Sequence, residues 1–328
     1  MRKWAREAGA PRRRRSRRLP GKLWIVWHVY EISWSRGVRE KKGGIALAGI
    51  GIVTDSTAYM DRDYIERNDI KVVPLKVIMD DVSYREGIDI SNDEFYKRMR
   101  EEDIFPTTSQ PSAGEFLEAY KEMSQRYDAL ISIHISSGIS GTCESARSAA
   151  SEIGDYPIEV IDSRFTGVQL MMFVQELVKA RDAGKGLEEL KSLTAGMIEG
   201  SVIMFCVDTL EYLHRGGRIG GAQALMGSML RIKPLLYLDG TIDALDKVRG
   251  SKKALDRLVE LAVEKAGGKR VQVGLTHVRD LDRLNDLKGK IITALDCDPA
   301  SIVANETGPV VGSHVGPGTV GVGFFPIA

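Results

Sequence analysis

A chain of 328 residues has room for about two domains of ordinary size, and 43% apolar with 28% charged residues is the composition of a globular chain rather than a fibrous or low-complexity one. Three cysteines, at 143, 206 and 297, stand singly, which excludes a disulfide framework and a Cys/His zinc motif. The net charge of +1 hides a split: residues 1–48 hold 14 Lys+Arg against 3 Asp+Glu, while the other 280 hold 32 against 42.

The segment 1–48 therefore reads as a different kind of sequence from the body. Its run Arg12-Arg13-Arg14-Arg15-Ser16-Arg17-Arg18 admits two functional readings, a nucleic-acid-binding arm and a twin-arginine export signal. Against the second, the apolar stretch after Leu23 is broken by His28 and Glu31, and Arg39-Glu40-Lys41-Lys42 precedes the small residues Ala46-Leu47-Ala48. The stretch is also shorter than the ~20 apolar residues that cross a bilayer. We expect a basic extension that is disordered or a mis-assigned start and packs on nothing, with the body beginning near residue 49. No long apolar span follows, so the body is expected to be cytoplasmic, reduced and metal-free, with no stable membrane insertion and no nucleic acid partner.

From residue 49 short β-branched runs alternate with helical stretches. Strands are predicted over 50–54, 72–78, 129–135 and 158–161, near-continuous apolar runs of the kind buried in parallel sheets. Ser112-Ala113-Gly114-Glu115 ahead of Phe116, Leu117 and Tyr120 is a capping-box start. Helical patterns over 166–183 and 187–199 follow, read as connecting helices. Strands are then predicted over 202–207, 232–238, 242–248 and 271–276, with Asp239-Gly240 marking a hairpin between the second and third. Helices over 252–265 and 280–287 cover them, and strands over 310–314 and 320–324 flank Gly316-Pro317-Gly318. The expected architecture is α/β in two domains: a parallel-sheet domain over 49–165 and a mixed-sheet domain over 166–328, with 166–200 as the connection and a ligand between them.

Several chemistries are missing. There is no phosphate loop and no H-E-x-x-H pair, and Gly49-Ile50-Gly51 precedes its strand while Thr54 occupies the third glycine position of a dinucleotide fingerprint. Three polar loops remain: Thr107 to Ser112, Ser136 to Thr142, and Gly312 to Gly318. The second lies between a strand and a helix start, where hydroxyls and free N–H groups suit an anion. A hydrolase using Ser140 as nucleophile and His314 as base is the alternative, although Gly138-Ile139-Ser140-Gly141-Thr142 lacks the closing glycine of a nucleophile elbow.

Read in order, the loops resemble the DegV family. The resemblance is carried by Val53-Thr54-Asp55-Ser56-Thr57, Val73-Pro74-Leu75, Thr108-Ser109-Gln110-Pro111-Ser112, Ser136-Ser137 with Ser140-Gly141-Thr142, and Ile161-Asp162-Ser163. It continues through Gly216-Gly217-Arg218-Ile219, Ile232-Lys233-Pro234, Val248-Arg249 with Lys252-Lys253-Ala254, and His314-Val315-Gly316-Pro317-Gly318. It implies a non-catalytic, cofactor-free protein holding a long-chain fatty acid, such as palmitate or oleate, between two α/β domains. By the same resemblance Thr108, Ser140 and His314, with Ser109 and Gly141, hold the carboxylate. Arg218 and Arg249 would face a separate kinase subunit that phosphorylates the presented carboxylate to an acyl phosphate. Gly250, Gly220-Gly221 and the segment 164–169 depart from the family pattern, where the resemblance leaves the partner-facing surface and the shape of the acyl tunnel undetermined.

Overall fold

Strand and helix starts follow local chemistry closely. In the computed structural model, which describes residues 49–102, 104–226 and 232–327, the body runs β1 (Ile50–Asp55), α1 (Arg62–Arg67), β2 (Ile70–Val73), β3 (Lys76–Met79), β4 (Val82–Arg85), α2 (Asn92–Glu101), β5 (Thr107–Ser109), α3 (Ala113–Ser124), β6 (Ala129–His134), α4 (Thr142–Glu152) and β7 (Ile158–Asp162). Two helices follow, α5 (Val168–Asp182) and α6 (Leu187–Glu199). The remainder is β8 (Val202–Cys206), α7 (Glu211–Arg215), β9 (Ile232–Asp239), β10 (Thr241–Arg249), α8 (Ser251–Ala266), β11 (Val271–His277), α9 (Leu281–Leu295), β12 (Val303–Glu306), α10 (Pro309–Val315) and β13 (Val320–Pro326). The reading of residues 1–48 as an unpacked extension lies outside the described residues.

β1, β2, β6 and β7 form a parallel sheet in the order β2-β1-β6-β7, and every residue of β1 and β6 is buried, as two-sided helical cover requires. The second large sheet is mixed, in the order β10-β9-β8-β13-β11-β12, with only β11 and β12 parallel. Its β9–β10 hairpin turns at Gly240, whose φ of 77° lies in the region glycine enters without cost. α5 is buried on nearly all sides because it lies between the sheets, packing on β1 and β6 of one and on β11, β12 and β13 of the other. One continuous apolar core consequently holds Ile52 and Ile131 together with Phe173 and Phe205. α3 starts with the expected capping box: Glu115 N donates to Ser112 Oγ at 3.2 Å, and Ser112 N donates to the Glu115 carboxylate at 2.8 Å.

Three expectations are corrected. The run 72–78 is two strands in different sheets, because Pro74 supplies no N–H to a ladder; β3 joins β4 and β5 in a small antiparallel sheet that the loop-like composition of 107–109 concealed. The run 310–314 is helix α10, not a strand: Pro309 occupies its first turn, and its N–H groups find partners far away in the chain. α9 extends to Leu295, well past the 287 expected, and β12 was not foreseen.

Candidate functional site

A cavity of about 290 Å³, close to the lower end of the usual ~300–1,000 Å³ range for ligand pockets, opens between the two large sheets. Its walls are mainly aliphatic and aromatic, with Leu75 and Ile135 from one half, Ile203, Phe205 and Leu238 from the mixed sheet, and Val310 from α10. Thr108, Ser109, Gln110, Ser140, Arg218 and His314 supply polar groups to the lining, and further threonines stand elsewhere in the wall. Ser109 and Gln110 are exposed, so these two lie where the cavity meets solvent.

Each member is placed by its element. β5 presents Thr108 inward between the exposed Thr107 and Ser109, the alternation of an extended strand. The β6–α4 loop is held at two points by the C-terminal half: Ser136 Oγ donates to Gly240 O at 2.6 Å, and Arg218 Nε donates to Ile139 O at 3.1 Å. Next to it, Ser140 Oγ lies 2.8 Å from Thr142 Oγ1 at the start of α4. A second nitrogen of Arg218 donates to Gly216 O at 2.8 Å, which fixes the guanidinium against that loop. His314, on the last turn of α10, has Nε2 2.9 Å from Thr108 Oγ1, whereas its buried Nδ1 has no hydrogen-bond partner. Burial, with the Arg218 charge adding to it, pushes the imidazole down to about 4, so His314 is neutral at ordinary pH.

Of the residues singled out from sequence, Thr108, Ser109, Ser140, His314 and Arg218 line the cavity, and Thr108 and His314 touch. Gly141 stands behind Ser140: its carbonyl accepts Gln110 Nε2 at 3.2 Å, and a Cβ there would collide with the Gln110 amide. Arg249 is exposed at the end of β10 and lies apart from the cavity lining. Gln110, Thr166, Thr276 and Thr307 also line the cavity and were not singled out; Gln110 sat in plain view inside a quoted loop.

The pairing a serine hydrolase requires is not formed at this site, since the His314 Nε2 contact is with Thr108 and Ser140 Oγ contacts Thr142. A second chain of polar groups has the order of a triad. His134 lies between Asp55, 3.2 Å from Nδ1, and Ser132, 2.6 Å from Nε2, but all three are fully buried and Ser132 Oγ also meets Tyr120 Oη at 2.8 Å. That chain is core. Among the described residues no group of three or more His, Cys, Asp or Glu could hold a metal ion, and no helix is long and apolar enough to cross a membrane.

Residues 49–326 match a family model described as "Uncharacterised protein, DegV family". A DegV domain-containing protein of Listeria innocua is 37% identical over 278 residues, which cover 83% of this chain and 97% of that protein. A DegV family protein of Thermus thermophilus, solved in a study of its fatty acid binding, superposes with a TM-score of 0.81 at 34% identity, covering 85% of this chain and all of that one. A stearic acid-binding protein of Eubacterium ventriosum superposes with a TM-score of 0.78 at 28% identity, covering 84% of this chain and 98% of that one.

Proposed function

The chain belongs to the DegV family, and from that premise we propose that it binds a long-chain fatty acid in the cavity between its sheets and presents the carboxylate to a partner kinase, with no catalysis of its own. The observation that carries the reading is a cavity with mainly apolar walls in which Arg218 and His314, its only charged or imidazole side chains among the described residues, stand with Thr108 and Ser140 beside the exposed Ser109 and Gln110, matching a ligand with a long hydrocarbon tail and a single anionic head.

The energetics divide the same way. Burying about 16 methylenes at ~0.8 kcal/mol each gives a gross ~13 kcal/mol before the costs of association. A carboxylate leaving water needs its lone pairs met by donors. In the tautomer with the proton on Nε2, His314 donates to Thr108 Oγ1, and the Thr108 hydroxyl is then free to donate to the ligand. Ser140 supplies a second hydroxyl and Arg218 a compensating charge in the same lining. The tail contributes affinity and the head contributes orientation.

Phosphorylation by a partner moves phosphate from ATP to the presented carboxylate, giving acyl phosphate and ADP. The exposed Arg249 belongs to the partner surface in this reading, and Arg218 sits where it neutralises charge at the head group. The test is denaturing extraction of the purified protein followed by mass spectrometry. Near one fatty acid per chain is expected; a protein that emerges empty and also refuses palmitate and oleate overturns the reading.

A further inference from the structure

Helix α10 carries His314 and also Val310, Val311 and Val315 of the cavity wall, yet it is only seven residues long and its N-cap, Gly308, has no side chain with which to close it. Its first turn is closed from the other end of the chain. Val310 N donates to Glu86 Oε1 at 2.7 Å and Val311 N donates to Tyr59 Oη at 3.1 Å, while Pro309 has no N–H to satisfy. Glu86 is 4% exposed, and its other oxygen accepts Ser56 Oγ at 2.5 Å. The clasp is itself pinned, since Glu86 N donates to Leu75 O at 2.9 Å and Leu75 N donates to Ser56 Oγ at 3.0 Å. A Cβ on residue 308 would lie 2.9 Å from Glu86 Oε1 and 2.5 Å from Tyr59 Cε1, so the bare N-cap is what admits the carboxylate.

We infer that Glu86 is a positioning residue for the head-group site: it fixes the start of α10 from the N-terminal half and thereby sets where His314 stands against Thr108. The consequence for affinity rests on the acyl-binding reading; the clasp does not. The arrangement calls for a carboxylate in particular. The Val310 N–H and the Ser56 hydroxyl both donate to it, the Tyr59 hydroxyl faces it, and negative charge is favoured at a helix start. A proton on Glu86 adds a hydrogen among donors and forces a hydroxyl to turn away. The titratable groups facing it are Asp55 on β1, Tyr59 just beyond, and Tyr96 on α2.

Burial, opposed by Ser56, the Val310 N–H and Tyr59, raises the Glu86 carboxyl to about 7, so the clasp changes state near neutral pH where His314 does not titrate. The two consequences of this run in opposite directions. The folded protein holds the Glu86 proton more tightly than the unfolded chain does, so the stability owed to this group is full below the ordinary carboxylate value and is lost as pH rises through about 7. The hydrogen bond from Val310 N–H is stronger to the ionised form, so the grip on α10 tightens over the same interval.

That opposition gives a readout that a merely structural role does not move. Hydrogen exchange of the full chain, corrected for intrinsic rates, is followed at Val310 and Val311 from about pH 5 to about pH 9 in wild type, Glu86→Gln and Glu86→Asp, beside denaturant unfolding and palmitate affinity. In wild type, protection at these two amides is expected to rise several-fold through neutrality while global stability falls slightly. Glu86→Gln flattens the rise and weakens palmitate binding about threefold to tenfold, and Glu86→Asp keeps a pH-dependent rise. An unchanged profile in Glu86→Gln, or a loss of protection spread evenly over the protein, overturns the inference. Should Glu86→Gln fail to fold, Gly308→Ala displaces the same clasp from the helix side and is read identically. A wild-type protein that refuses palmitate defeats the acyl reading, and the exchange profile still decides the clasp.

Discussion

Two histidines in this protein sit among similar partners and differ in what they can do. His134 has Asp55 on one nitrogen and Ser132 on the other, with nothing open to a ligand. His314 has Thr108 on one nitrogen and none on the other, and stands at a cavity beside a fixed guanidinium. A fully satisfied buried network specifies a core, whereas a hydroxyl such as that of Thr108, engaged on one side by a histidine and lining open volume, can donate to a ligand. The contrast teaches that order along a hydrogen-bond chain is a poor guide to function without access.

The comparison breaks first on stability. Asp55→Ala removes the acceptor for His134 Nδ1, for Ile135 N at 2.8 Å and for Thr57 N at 3.0 Å, and is expected to cost about 3 kcal/mol or more in denaturant unfolding. His314→Ala is expected to leave stability within about 1 kcal/mol and to weaken palmitate about tenfold by titration calorimetry, with Thr108→Val close behind. If His314→Ala unfolds the protein as Asp55→Ala does, the two histidines are of one kind. Ser140→Ala, which removes one donor of several, is expected to cost a few-fold in affinity and to shift the head group in a crystal of the complex. Arg249→Ala is expected to change neither stability nor lipid content, and to slow only turnover by the partner kinase in a coupled assay.

A pH series sharpens the same contrast. Because His314 is held down to about 4, it stays neutral through the neutral range and changes charge only on passing through about 4. An inflection in palmitate affinity near 7 that vanishes in Glu86→Gln is assigned to Glu86.

Much of this was legible from residues alone because the signals are local. The capping box at Ser112, the Asp239-Gly240 hairpin and the β-branched runs of β1, β6 and β11 report short-range preferences that packing reinforced. The polar loops with Thr108, Ser140 and His314 were visible too, as hydroxyl and glycine clusters beside strand and helix ends. What escaped was set at long range. Val310-Val311 is a β-branched pair that favours a strand, and it became helix because Glu86 and Tyr59, more than 200 residues earlier, supply the caps that Gly308 lacks. Thr107 to Ser109 looks like loop and became strand only because β3 offers it an edge.

By itself, then, the sequence determined the α/β alternation, the two kinds of sheet and the hydroxyl- and glycine-rich loops whose donors suit an anion, all of which follow from periodicity, turn chemistry and hydrogen-bonding capacity within a few residues. Only the tertiary structure decided that Thr108 and His314 meet, that Arg218 turns inward while Arg249 stays outside, and that one buried histidine is core and the other faces a cavity. Those outcomes depend on contacts between residues far apart in the chain, where burial and partner geometry, rather than local preference, set the free energy.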